Sequence, residues 1–201
     1  MKIAVIGATG TIGKAVSSLL EEEGHEVIKA SRKSELSVNI DKPESIDQFY
    51  ETIGSIDAVI CAAGNASFGP LQQMTDKKFN ISIQSKLMGQ VNLVRKGLEH
   101  LADETVFVLT SGMLSAKPWP KTSSVAMVNA GLEGFTRAAA LDLPEGKRIC
   151  IVSPPLINET AKKMGRDPEP WPEASDVAEA YFNAVTGDAN GEVVYVDGYE
   201  M

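Results

Sequence analysis

The chain has 201 residues, 43% apolar and 23% charged, which is ordinary for one well-buried domain and short for two. Its net charge of −8 argues against nucleic acid and anionic membranes as partners, because both require clustered Lys and Arg. The two cysteines lie in apolar runs and the two histidines near helix ends, so neither a disulfide nor a metal site is expected. No apolar stretch approaches the roughly 18 residues of a membrane span. The N-terminus lacks a signal-peptide pattern, and the expected location is the cytoplasm.

The run Ile3–Ile6 predicts a strand that passes into Gly7-Ala8-Thr9-Gly10-Thr11-Ile12-Gly13, and a helical pattern begins at once with Lys14, Ala15, Val16 and Leu19. Strand, glycine-rich turn and helix form the context of a dinucleotide site. Gly7 permits the tight turn, Gly10 lets a pyrophosphate approach the backbone, and Gly13 lets the helix pack on the strand. The candidate cofactor contacts here are Gly7, Thr9, Gly10, Thr11, Ile12 and Gly13, with the pyrophosphate on the helix N-terminus.

The helix stops near Gly24, and residues 25–30 read as the second strand. Ser31-Arg32-Lys33 follows, where a dinucleotide fold selects its cofactor. A carboxylate there binds the ribose 2′-hydroxyl of NAD, and a basic group accepts the 2′-phosphate of NADP. All three side chains can donate to a phosphate, so NADP(H) is favoured; the bland reading is a solvated basic turn.

A short extended piece, 35–40, leads into a helix with Pro43 near its start. Residues 57–61 form a buried strand ending in Ala62-Ala63-Gly64, small residues that leave room for a ligand. Phe79, Ile83, Leu87, Val91 and Val94 give a helical period and predict one long helix over 75–101. Residues 105–110 form a strand followed by Ser111-Gly112. A second long helix, rich in small residues, spans 123–143. The strand 147–152 is stopped by Ser153-Pro154-Pro155. Segment 156–174, with three further prolines and Trp171, predicts a mobile flap. A helix over 176–185 and a strand over 192–196 complete the chain. The alternation predicts a single α/β domain over 1–201, a Rossmann-type doubly wound parallel sheet.

In this order the motifs resemble those of the short-chain dehydrogenase/reductase family over nearly the whole chain. Gly7, Gly10 and Gly13 match its cofactor turn, in a spacing like that of its extended and atypical members. Asn39-Ile40-Asp41 stands where the family has an Asp pair near the adenine. Cys61-Ala62-Ala63-Gly64 stands for its Asn-Asn-Ala-Gly, Thr110-Ser111 for its Ser-Ser, and Val152-Ser153-Pro154 for the turn over nicotinamide. The resemblance implies about seven strands in the order 3-2-1-4-5-6-7 with helices on both faces. It implies cofactor contacts from Asn39, Ile40, Ala62, Ala63, Gly64 and Pro154. The family's carboxamide-binding Thr falls at Glu159, with Thr160 one residue on as the candidate. A homodimer or homotetramer through the two long helices is also implied.

The catalytic Tyr-x-x-x-Lys of the family is absent: Tyr falls on Val125 and Lys on Asn129, and none of the four tyrosines has Lys four residues later. Reduction of a carbonyl needs an acid for the forming alkoxide. Lys86 stands where the family usually has a water-holding Asn, and is the candidate acid or oxyanion clamp. Ser111 keeps a donor for a carbonyl oxygen. Ser124 and Lys121 lie nearer the lost tyrosine but on a loop or helix start. Trp119, Met127, Met164 and Trp171 are candidate liners of an apolar pocket. The resulting reading is an NADP(H)-dependent oxidoreductase of a small carbonyl or alcohol, without a metal. The alternative is an inactive NADP(H)-binding sensor, and a third reading is isomerisation or C=C reduction on the same frame.

Overall fold

The computed structural model describes residues 1–101 and 104–200. Six strands form one parallel sheet: β1 (Lys2–Ile6), β2 (Glu26–Ala30), β3 (Ala58–Cys61), β4 (Val106–Thr110), β5 (Arg148–Ser153) and β6 (Val193–Tyr195), in the order β2-β1-β3-β4-β5-β6. The helices are α1 (Thr11–Glu22), α2 (Pro43–Ile53), α3 (Asp76–Ser82), α4 (Gly89–His100), α5 (Ser123–Asp142), α6 (Asn158–Lys163) and α7 (Ala174–Thr186).

Both faces of the sheet are covered, and the period of two along each strand divides its residues between them. Ala4, Ile6, Val59, Cys61, Phe107, Leu109, Ile149 and Ile151 pack on one side, against α2, α4 and α5. Ile3, Val5, Ala58, Ile60, Val106, Val108, Cys150 and Val152 face the other side, against α1 and α7. Both cysteines are buried and free. Arg148 ties the far edge together by donating to the carbonyls of Ala184, Val185 and Ala189 around the end of α7. The first two are carbonyls that the end of α7 leaves without an intrahelical partner.

The sheet has one strand fewer than expected. The extended piece 35–40 makes a single parallel bridge, Ser31 with Ser37, beyond β2. Serine hydroxyls take the backbone groups a ladder would use. Ser34 Oγ accepts from Ser31 N–H at 2.6 Å and reaches the Leu36 carbonyl at 2.8 Å, and the Ser37 hydroxyl lies 3.4 Å from the Arg32 carbonyl. Without that edge strand, the expected order 3-2-1-4-5-6-7 becomes 2-1-3-4-5-6 on renumbering.

The helix expected over 75–101 is also interrupted. Between α3 and α4 the turns widen into a π-helical stretch, Ile83–Met88. Such widenings recur at functional sites. Here the stretch carries Lys86.

Candidate active site

The chain reverses its winding between β1 and β3, and in parallel sheets ligands collect at such a switch point, outside the strand C-termini. Gly7 leaves β1 with φ +91°, and a Cβ there would sit 2.6 Å from the Ala62 carbonyl oxygen at the end of β3. A Cβ on Gly13 would sit 2.2 Å from the Gly7 carbonyl oxygen. Both positions therefore need glycine for close backbone packing. Gly10 precedes α1 without a side-chain cap, so the first N–H groups of that helix remain for an anion.

A cleft of about 410 Å³ opens over this turn. Ile6, Gly7, Thr9, Gly10, Ser31, Arg32, Lys33, Asn39, Ile40, Ala62, Ala63 and Gly64 border it. Eleven of the sixteen cofactor residues expected from the sequence thus border one cleft. Thr11, Ile12 and Gly13 lie just beyond, in the first turn of α1. Thr11 Oγ1 faces the Lys163 ammonium of α6 at 3.5 Å. Val38, Asp41, Asn65 and Ser85 also border the cleft. Ser85 had no sequence signal: its hydroxyl accepts from Asn65 N–H at 3.0 Å and so shapes the wall from the π-helical stretch.

A second cavity, about 270 Å³, shares Gly64 with the first. Lys86, Ser111, Gly112, Val125, Asn129 and Pro154 form its polar end and floor. Phe68, Met113, Leu114, Trp119, Pro155 and Leu156 form its apolar wall. Lys86 and Ser111, far apart in sequence, therefore line one space. Lys86 Nζ donates to the Thr110 carbonyl at 3.1 Å. Burial pulls its ammonium down to about 8. Among the described residues no carboxylate comes within ion-pair distance of it. The Cys61 thiol, pushed up to about 11 by burial, stays neutral.

Gln90 holds this end of β4 in place. Its amide receives Thr110 N–H at 2.8 Å and donates to the Thr110 carbonyl at 2.9 Å and to the Lys86 carbonyl at 3.2 Å. From below, Tyr181 OH meets Thr110 Oγ1 at 2.6 Å. Among the described residues, Ser111 Oγ has only a long 3.5 Å approach to the Val152 carbonyl and is free to turn toward a ligand.

The other residues singled out in the sequence are scattered more widely. Ser124 donates to Ser82 at 2.7 Å as a strut between α5 and α3, and does not border the cavity. Lys121 is exposed, with φ 72°. Of the four apolar candidates only Trp119 lines the cavity. Met127 and Met164 are 43% and 52% exposed, because they face outward on α5 and at the end of α6. Trp171 packs edge-on against Trp119 at 5.9 Å, and Arg166 lies over the Trp119 ring at 4.4 Å. Thr160 sits on α6 and borders neither cavity; neighbouring Glu159 accepts from Ala174 N–H at the start of α7.

The fold, the cofactor turn and the paired cavities define a dinucleotide-binding domain of the oxidoreductase class. The family model described as "Enoyl-(Acyl carrier protein) reductase" matches residues 7–198. Carbonyl reductase family member 4 of Danio rerio is 25% identical over 96% of this chain and 95% of its own. The crystal structure of a protein from Listeria innocua is 39% identical, covers 98% of this chain and 99% of its own, and superposes with a TM-score of 0.91. A small-chain dehydrogenase solved in complex with NADPH is 29% identical over 98% of this chain and 97% of its own, with a TM-score of 0.86. The chain belongs to the short-chain dehydrogenase/reductase family, a family of oxidoreductases.

Proposed function

We propose that the chain is an NADP(H)-dependent oxidoreductase of a small carbonyl or alcohol, in which Lys86 takes over the proton-transfer role of the missing Tyr-Lys pair. One observation carries this reading: an ammonium without a carboxylate partner among the described residues, pulled down to about 8, borders the cavity that adjoins the cofactor cleft and contains Ser111.

The residues present fit the cofactor. The close-packed glycine turn receives the pyrophosphate, and the α1 N-terminus supplies N–H groups and a favourable dipole. Arg32 and Lys33, exposed on the cleft rim, suit the 2′-phosphate, and no carboxylate replaces them at the end of β2. Asn39 and Ile40 border the adenine end, while Ala62, Ala63 and Gly64 leave room beside β3. Thr11, Ile12 and Pro154 complete the set we assign to the cofactor. The NADPH-bound neighbour supports the choice of cofactor.

When bound, NADPH supplies a hydride to the carbonyl carbon. Lys86, as the ammonium, donates a proton to the carbonyl oxygen as the C=O π pair moves onto it. Ser111 holds that oxygen by hydrogen bonding, and the apolar wall excludes water. Segment 156–174 covers the site as a flap through its contacts with Trp119 and Thr11. Two copies pair through the exposed stripe Met127, Ala130, Gly134, Ala138 and Leu141 of α5.

The test is NADPH oxidation against pooled aldehydes, ketones and enones, with wild type beside Lys86→Ala. The expected result is turnover that falls at least about a hundredfold in the variant. Undiminished turnover in Lys86→Ala removes Lys86 from the mechanism. Saturable NADPH binding without turnover on any pool favours the sensor, which the buried Val125 and Asn129 at the two catalytic positions would explain.

A further inference from the structure

The fold fixes the position of Lys163, and among the described residues no carboxylate comes within ion-pair distance of it. It is the last residue of the short helix α6. The segment around α6 is tied down without it. Asn158 N–H donates to the Pro172 carbonyl at 2.8 Å, and Asn158 Nδ2 to the Pro168 carbonyl at 3.0 Å. Ala174 N–H donates to the Glu159 carboxylate at 3.0 Å, and Arg166 lies over the Trp119 ring at 4.4 Å.

A cation in the last turn of a helix ordinarily turns to that helix's own free carbonyls. The Lys163 ammonium instead reaches across to α1, where Thr11 Oγ1 lies at 3.5 Å. Thr11 is the first residue of that twelve-residue helix. Lys14 N–H is the first in α1 to find a backbone carbonyl, that of Gly10 at 2.9 Å. The N–H groups of Thr11, Ile12 and Gly13, and the positive pole of α1, therefore lie at the end that Lys163 faces. Positive charge thus meets positive pole, and a hydroxyl at 3.5 Å is a long acceptor. Neither group holds the ammonium there. An anion does, taken by N–H groups on one side and by an ammonium on the other.

We infer that Lys163 clamps the diphosphate of the cofactor from the flap side, opposite the N–H groups of α1. The inference rests on the proposed cofactor site. Arg32 and Lys33 serve the 2′-phosphate after β2, whereas Lys163 serves the diphosphate over α1. The two anionic groups of one nucleotide therefore have separate cations. NADH and NADPH share the diphosphate, so Lys163 tightens both equally, while Arg32 discriminates between them. The clamp also ties the flap to the bound nucleotide.

The experiment titrates NADPH, NADH and adenosine 2′-monophosphate into wild type, Lys163→Gln and Lys163→Arg. Nucleotide fluorescence follows the first two, and displacement of NADPH follows the third. Lys163 is exposed, so these substitutions leave the core untouched. Lys163→Gln is expected to weaken NADPH and NADH alike by about five- to tenfold, between the effect of an exposed ion pair and that of a charge-assisted hydrogen bond. Adenosine 2′-monophosphate, which carries no diphosphate, should stay within about twofold, and Lys163→Arg should restore most of the lost affinity. NADPH affinity within about twofold of wild type in Lys163→Gln overturns the inference and leaves a solvated surface lysine. Equal weakening of NADPH and adenosine 2′-monophosphate also overturns it, since that places Lys163 at the 2′-phosphate or in the support of the fold. So does a loss that Lys163→Arg does not restore. The titrations need no turnover, so their result is independent of Lys86 and of the reductase reading. If NADH alone binds and Lys163→Gln weakens it, the inference stands and the choice of NADP(H) fails. If neither dinucleotide saturates wild type, the cofactor site and the inference fail together.

Discussion

Lys86 concentrates the chemistry in one side chain, and its titration gives the proposal a direct signature. Its ammonium is lost as pH rises through about 8. If it is the acid, carbonyl reduction is constant below that value and declines above it. Alcohol oxidation, which needs the neutral amine, rises through the same value. The pH–rate profiles in both directions check this, and Lys86→Met should remove the inflection along with most of the turnover. The same shift has a consequence for stability. The folded value lies below the ordinary 10.5, so the unfolded chain binds the extra proton between about 8 and 10.5, and stability rises with pH across that window. Below pH 8 the full burden of the buried ammonium is present. Lys86→Met is therefore expected to raise the Tm at pH 7 by a few degrees and to gain less at pH 10, as is usual when a strained functional group is removed. A Tm that falls at pH 7 would contradict the burial argument. At the cleft rim, Arg32→Ala should weaken NADPH binding by about tenfold and leave NADH nearly unchanged, since a bidentate charged contact to the 2′-phosphate is lost. Titrations of both nucleotides check it. The place of Arg32 on the cleft rim was legible in the sequence because it follows β2 directly. Asn129 was legible only as the residue standing where the family's Lys is expected, because its unpaired acceptor emerges once its neighbours are known.

At the scale of elements, local periodicity identified the strands and helices well, yet it could not register the widened turns at Ile83–Met88. The apolar positions Phe79, Ile83, Leu87, Val91 and Val94 keep a helical period through the widening, which the long-range clamp at Gln90 accompanies. Gln90→Leu should destabilise the protein by about 1–3 kcal/mol, because it strips both backbone groups of Thr110 of a buried partner. Denaturant unfolding measures the loss. Turnover should fall as well, since Lys86 shares the Thr110 carbonyl with that amide. The glycine turn was fully legible, since its spacing and its place between strand and helix follow from neighbours in sequence. Gly13→Ala drives a methyl group against the Gly7 carbonyl and is expected to cost about 1–3 kcal/mol together with NADPH affinity. The missing edge strand was not legible: residues 35–40 have an extended pattern, and only the serine hydrogen bonds around Ser34 reveal why the ladder stops after one bridge.

For the whole molecule, no described helix is long and apolar enough to cross a membrane. The outer face of α5 presents Leu141 at 86% exposure in line with Met127 at 43%, beside small residues that allow close approach. If this face pairs two copies, Leu141→Glu should shift the protein toward monomer in analytical ultracentrifugation without loss of secondary structure; an unchanged sedimentation coefficient would point to another surface. The sequence by itself determined the parallel α/β order, the glycine turn, the basic rim after β2 and the absence of a Tyr-x-x-x-Lys motif. Each of these is a matter of residue type and spacing within one βα unit, where side-chain period and turn chemistry act over a few residues. Tertiary structure alone decided that the sheet has six strands, that Lys86 and Ser111 face one cavity, and that Asn129 keeps an acceptor free. The last two outcomes depend on groups brought together from β4, α5 and the π-helical stretch. Their meeting is set by strand order and close packing across the sheet, which no local pattern encodes.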